Sequence, residues 1–369
     1  QDYATTVRCQ LREGLPDLRT ERNAPVELPG FLITKWEEED RLEVEMAELE
    51  EFFDRTQYPR APRYYVMKWL TDWVRDFGFD GFRIDAPERV EEEVSADLAR
   101  EARAAFQEWK DGQGELPAAD ASFRVLGQVS GHGLADGPGF DYGDRSVDFY
   151  EYGYDALANF GFRERLGGDL DALYSDYSAA IREEPSAARS VVNFINTHRD
   201  PAPYDPQREA SLEGGTWLLL APGTAQINYG DEVARPLSAD SAAGEARLHT
   251  PIDWARVDST EQARVLEHWR TLARFRAAHP AVGAGAHLRL QSSPYVFARS
   301  LAAESGWKDQ VVIALDAGSG SVRIPVGDVF AEGSLVRDAY SGRTGVVSQG
   351  AVRVDTRSGV VLLEASGRR

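Results

Sequence analysis

Residues 65–85 read YVMKWLTDWVRDFGFDGFRID, and the fold is decided by how this stretch is parsed. Val66, Trp69, Leu70, Trp73, Val74 and Phe77 recur at the i, i+3, i+4, i+7, i+8, i+11 spacing of a helix that buries one stripe. Gly78 is the stop, since glycine accepts the left-handed turn beyond a helix end most readily. Phe79 to Asp85 then reads as a short strand. Further along come a helix over Glu88–Lys110 and strands over Phe123–Val129, Ser190–Thr197 and Thr224–Tyr229, the last preceded by the apolar run Trp217–Ala221. Strands alternating with helices predict βα units and a parallel sheet.

The flanks read differently. Residues 1–35 carry Gly14, Pro16, Pro25, Pro29 and Gly30 with little periodicity, which predicts irregular chain. Trp36 to Arg55 has helical spacing, with Leu42, Met46, Leu49 and Phe53 on one side and a solvated acidic face on the other. After Ala284, short β-rich runs (Tyr295–Arg299, Gln310–Leu315, Ser321–Pro325, Ser334–Asp338, Ala351–Asp355, Val360–Leu363) alternate with Gly, Ser and Asp, as in a small antiparallel β-sandwich. The expected boundaries are 1–35, 36–284 and 285–369.

Composition narrows the function. The chain has 369 residues, 42% of them hydrophobic, enough to bury a large core. Its 61 acidic and 41 basic residues leave a net charge of −20. That field repels nucleic acid and anionic membrane surfaces, so neither is expected as a partner. No run approaches the roughly 18–20 apolar residues of a membrane span. Cys9 is the one cysteine, which excludes an internal disulfide and a cysteine metal cluster. The compartment stays open between secreted and cytoplasmic.

In parallel βα architectures, chemistry gathers at the C-terminal ends of strands. Three such ends carry polar groups: Arg83-Ile84-Asp85, Gly127-Gln128-Val129, and Asn196-Thr197-His198-Arg199-Asp200. Each alone is a common pattern, and a lone histidine after a strand is more often structural than catalytic. The aromatic run Phe140, Tyr142, Phe149, Tyr150, Tyr152 and Tyr154 could stack sugars, although a core role is the simpler reading.

The order and wording of these segments resemble glycoside hydrolase family 13, the α-amylase family. GFRID, VLGQV, VNFINTHRD and LLLAPGTAQINYGDE look like its successive strand-end motifs. The resemblance extends to LPDLRTE (15–21), FDYGDRSVDFYEYGYDALANF (140–160), IPVGDVF (324–330) and SLVRDAYSG (334–342). It implies an α/β fold of the (β/α)8 TIM-barrel type followed by a C-terminal antiparallel β-sandwich. Residues 1–35 would then be a remnant of the inserted loop domain and 36–284 a partial barrel whose N-terminal strands are missing from this chain. A retaining reaction on α-glucosidic bonds is the implied chemistry, with two carboxyl groups roughly 5–5.5 Å apart. The resemblance places the nucleophile on Asp85, Arg83 beside it as an orienting guanidinium, and His198 against the sugar.

The departures are specific. Where the family has its general acid this chain has Gln128, and an amide has no proton to deliver. The transition-state carboxylate belongs directly after His198, where Arg199 stands; Asp200 is one place late, on the opposite face of an extended strand unless a bulge intervenes. Glu88 and Arg89 occupy the places of the family's Lys-His pair that contacts the leaving-group sugar. A deliberate Glu→Gln exchange at 128 would account for one departure but not for Arg199, Glu88 and Arg89. Three functions therefore stay open: an α-glucan or maltooligosaccharide binder with hydrolysis impaired or lost, an active hydrolase or transglycosylase completed by other strands, and a structural subunit without sugar. An open parallel sheet also calls for closure by the missing N-terminal half-barrel, a second chain or a homo-oligomer. No cofactor is expected; calcium occurs in relatives, but its ligands are not identifiable in this chain.

Overall fold

The computed structural model describes residues 2–8, 19–113, 121–183, 190–198, 203–237, 248–303 and 305–367. It divides into two units, Gln1–His132 with Asp136–Ala158, and Gly133–Ala135 with Asn159–Arg369.

The first unit opens with three helices, α1 (Tyr3–Arg8), α2 (Gly30–Glu38) and α3 (Leu42–Thr56). This corrects two expectations. Residues 1–35 are not irregular throughout: the Thr5 N–H donates to Asp2 at 2.8 Å and Tyr3 Oη donates to Glu92 at 2.5 Å, which pins α1. The acidic stretch is not one helix either, because Asp40 adopts φ +54° and breaks it. Leu49 and Phe53 are buried, on the side the spacing predicts.

Next come α4 (Pro62–Phe77), β1 (Gly81–Asp85), α5 (Glu92–Gly112), β2 (Arg124–Gln128), the hairpin β3 (Gly139–Asp141) and β4 (Ser146–Asp148), and β5 (Ala156–Asn159). Pro62 starts α4 where a missing N–H costs nothing. Gly78 ends it at φ +67°, donating to the Val74 carbonyl at 2.9 Å. β1 and β2 pair in parallel with Asp85 opposite Gln128, and β2 pairs in parallel with β5. Tyr142, Phe149 and Tyr154 are buried around this sheet with Phe140, Tyr150 and Tyr152 packed against them, so the aromatic run is core.

Half of the stripe expected to be buried on α4 is outside. Val74 is fully buried, but Trp73 is 57% and Phe77 68% exposed. α4 instead packs through Tyr64, Tyr65, Met67, Lys68 and Thr71. Lys68 tolerates burial because its ammonium donates to Glu48 at 2.6 Å and pairs with Asp72 at 2.7 Å. Periodicity states that a face needs covering; it does not state that the covering element is nearby.

The second unit continues with α6 (Phe160–Glu164), α7 (Leu170–Glu183), β6 (Ser190–Asn193), α8 (Ser211–Leu219), β7 (Thr224–Ala225), α9 (Trp254–Val257), α10 (Thr260–Ala278) and α11 (Pro280–Ala284). β6 and β7 are parallel. Both are shorter than the sequence suggests; beyond their ends, Asn196 Nδ2 donates to Asp231 Oδ1 at 3.0 Å and the Asn228 carbonyl accepts from the Asp231 N–H at 3.0 Å. Antiparallel strands follow: β8 (Ala286–Gln291), β9 (Tyr295–Ala302), β10 (Lys308–Leu315), β11 (Gly320–Pro325), β12 (Leu335–Asp338), β13 (Thr344–Val346), β14 (Ala351–Thr356) and β15 (Val361–Ala365). Six form a sheet in the order β13-β12-β15-β10-β9-β8, while β11 pairs with β14. One face of the larger sheet (Val296, Val312, Val361) meets Ile324 and Val352 of the smaller. Its other face (Phe297, Ile313, Leu362) packs with Trp217, Trp269 and Leu272 from the helices. Burial on both faces explains the unbroken run Val311–Leu315, which does not alternate.

A titration is built into that interface. His287 on β8 is buried, donates Nε2–H to Asp171 at 2.9 Å, and has an Nδ1 atom that no group bonds among the described residues. Burial, then the nearby Arg299 guanidinium, push its pKa down to about 4. The folded protein therefore keeps His287 neutral, while the unfolded chain binds a proton below about pH 6.5. The stabilisation is complete above that pH and is lost as pH falls from there towards about 4, with a slope of up to about 1.4 kcal/mol per pH unit. Urea unfolding at several pH values should show this loss, and His287→Gln should flatten it; an unchanged slope in the variant would contradict the assignment.

Candidate active site

Parallel pairing of β1 with β2 determines which side chains meet. Residues 83 and 85 are two apart on one strand, so they share a face, and Asp85 is the cross-strand neighbour of Gln128. Adjacent strands run about 4.8 Å apart, which puts both side chains at one strand mouth. Arg83 joins them: its Nη2 lies 3.1 Å from Asp85 Oδ1 and donates a short hydrogen bond to Gln128 Oε1. Arg83 and Asp85 are both partly exposed, at 38% and 40% of their side chains.

The backbone beneath is constrained. Ala86, directly after Asp85, sits at φ +54° and donates its N–H to the Gln128 carbonyl at 3.2 Å. A non-glycine residue in the left-handed region costs of order 1 kcal/mol and persists only where surroundings impose it, commonly at functional sites. Position 127 must be glycine for a different reason. A Cβ there would come within 2.8 Å of Leu157 and 2.9 Å of Tyr154.

Glu88 is placed otherwise than expected. It is 3% exposed in a short turn, its Oε1 accepts from Ser130 Oγ at 2.6 Å, and its carbonyl accepts from Tyr142 Oη at 3.0 Å. Its carboxylate thus ties the loop after β1 to the loop after β2 instead of facing solvent. Arg89 is exposed. Ser130 was not anticipated, since one serine after a strand has no signal in sequence.

In the second unit, the mouth of β6 is organised by a buried acid. Asp231, fully buried, accepts from Asn196 Nδ2 at 3.0 Å and from Arg208 Nη2 at 2.7 Å. Burial raises its pKa, against the pull of Arg208. His198 follows two residues after Asn196 and is half-buried; its carbonyl accepts from His249 Nε2 at 3.1 Å. His249 lies far along the chain, beyond the reach of a motif reading. Arg199 and Asp200 lie outside the described residues. Among the described residues no three His, Cys, Asp or Glu side chains gather as a metal site. No helix among them is long and apolar enough to cross a membrane.

Comparison with known proteins bears on the family and the fold. No family model matches the chain. The periplasmic α-amylase of Escherichia coli is 31% identical over 272 residues, covering 73% of this chain and 36% of the relative. The chain therefore spans little more than a third of that curated protein. Among solved structures, an Anoxybacillus α-amylase aligns at TM-score 0.55 and 17% identity, over 83% of this chain and 64% of its own. The Geobacillus thermoleovorans α-amylase, complexed with acarbose, aligns at TM-score 0.57 and 15% identity, over 82% of this chain and 64% of its own. A pullulanase from Bacillus acidopullulyticus gives 0.53 and 15%, over 84% and 40%. These structures show the fold of an α-amylase-type barrel, in part, with its β-sandwich. The strand-end motifs, in their order, and the curated match make this chain a relative of the α-amylase family.

Proposed function

We propose that this chain recognises α-glucan or maltooligosaccharide at the β1–β2 mouth, with hydrolysis impaired or lost. One observation carries the reading: the Arg83 guanidinium bridges Asp85 and Gln128 at adjacent strand ends. A retaining mechanism asks for two carboxyl groups roughly 5–5.5 Å apart, and side chains at two adjacent strand ends are suited to that spacing. Asp85 has the chemistry of the nucleophile. Gln128 occupies the acid's place, where its carbonyl is engaged by Arg83 and its amide can donate a hydrogen bond to a glycosidic oxygen but not release a proton. The periplasmic location named for the Escherichia coli relative supports export of the polypeptide.

Isothermal titration with maltoheptaose, paired with a reducing-sugar assay, tests the reading. Saturable heat without sugar release is the expected result. Robust turnover would replace it with the active-enzyme reading, and absence of any heat would leave only the structural role.

A further inference from the structure

Arg299, on β9, is fully buried, yet its Nε and Nη1 atoms have no hydrogen-bond partner among the described residues. Nη2 reaches only the Leu220 carbonyl, at 3.5 Å. The guanidinium lies over the rings of Tyr174 and Phe297, 5.0 and 5.3 Å from their centroids. Its cross-strand neighbour on β8 is His287, which packs against the same two rings and also leaves Nδ1 unpartnered. Directly opposed residues of an antiparallel pair stand about 5 Å apart, so the three unpartnered nitrogens belong to one small region. Its charge is uncompensated as well. Asp171 is already engaged by His287 at 2.9 Å, Tyr295 at 3.0 Å and Arg289 at 2.9 Å. Arg276 adds a second, half-buried guanidinium that bonds the carbonyls of Leu219, Ala221 and Gly223. Burial pushes both guanidinium pKa values down to about 10, so both stay charged at neutral pH. Buried charges are normally paired, and leaving one unpaired is strongly destabilising.

We infer that this region binds one small monovalent anion, of the size of chloride or formate. Arg299 Nε–H and Nη1–H donate to it, and His287 takes a proton from solvent on Nδ1 to donate a third hydrogen bond. Arginine has donors and no acceptor, so the ligand must accept. Its negative charge supplies the counter-charge that Asp171, shared among three partners, does not. Full burial of Arg299 restricts the ligand to a few atoms. A water molecule accepts the same hydrogen bonds but brings no charge. The charged and titratable groups facing the pair are Asp171 and Tyr174 from α7, Arg276 from α10, Arg289 from β8 and Tyr295 from β9. Without the anion His287 is neutral; with it, the imidazolium stands between the anion and Asp171. Anion uptake is thereby coupled to proton uptake and strengthens as pH falls towards about 4. Arg83, Asp85 and Gln128 lie in the first unit and take no part, so a failed sugar titration leaves the inference untouched.

Thermal melts of the 369-residue chain test it, with sodium gluconate replaced stepwise by sodium chloride or sodium formate at fixed ionic strength. Gluconate is too large for an enclosed place, and the fixed ionic strength keeps screening constant for a chain of net charge −20. The melting temperature should rise saturably by about 4–8 °C, and the half-saturating concentration should fall several-fold from pH 7 to pH 5. Arg299→Met removes the charge at similar length and should lose the response. His287→Gln should keep the response but lose its pH dependence. Crystals soaked in bromide should show an anomalous peak within hydrogen-bonding distance of Arg299 Nε and Nη1, which decides the matter if Arg299→Met does not fold. A melting temperature indifferent to both anions would overturn the proposal. So would an equal rise in Arg299→Met, or water alone beside Arg299 in those crystals.

Discussion

Gln128→Glu combined with Arg199→Asp should raise the release of reducing sugar from maltoheptaose by about 10²–10⁴-fold, the usual worth of a general acid. The measurement belongs in the longest polypeptide the gene encodes, with initial rates compared against the unsubstituted protein. Gln128 is isosteric with glutamate and already stands opposite Asp85 in the ladder, so restoring the acid requires no movement of backbone. Glutamate alone should recover less, because by resemblance Arg199 stands where a carboxylate supports the transition state. Arg83 adds a second constraint. Its guanidinium reaches the side chain at position 128 and would favour the ionised form of a carboxyl group installed there, holding the pKa down. The acid must be protonated to act, so the restored rate should be greatest on the acidic side and fall as pH rises through that pKa. If the double variant binds maltoheptaose yet stays silent at every pH, Gln128 is not what the site lacks.

Asp231→Ala should cost about 3–5 kcal/mol in the second unit, the range found when one partner of a buried ion pair is removed. The Asp231 and Arg208 side chains are 0% and 4% exposed, so the orphaned guanidinium would have little access to water. It would keep its bond to the Arg235 carbonyl at 2.6 Å but lose its counter-charge, and Asn196 would lose its acceptor. A fall in melting temperature on the order of 10 °C is expected for a unit of this size. The double variant Asp231→Leu, Arg208→Met should cost clearly less than the two singles together, since it removes both charges at once. A loss below about 1 kcal/mol in Asp231→Ala would mean that the pair is not carrying the mouth of β6.

Part of the site could be read from sequence for a local reason. Arg83 and Asp85 share a face because strand side chains alternate, and that rule needs no partner. Gln128 could be assigned by motif, and its position opposite Asp85 follows once the two strands pair. Glu88 could not be read this way. Its place in the chain implied a contact with substrate, but the left-handed Ala86 and the following turn rotate it inward to Ser130. His249 and Ser130 meet their partners only through folding, across separations that no spacing rule describes.

Residues 65–85 show where the division falls. Sequence by itself determined that Val66 to Phe77 is helical, that Gly78 ends it, and that a strand carrying Arg83 and Asp85 follows, since these depend on backbone preference and side-chain period. It also determined the change to antiparallel strands after Ala284, where β8 begins at Ala286. Tertiary structure alone decided which face of α4 is covered. Tyr64, Met67 and a paired Lys68 went inward and Trp73 and Phe77 outward, because burial depends on which elements stand beside a helix as well as on its own pattern.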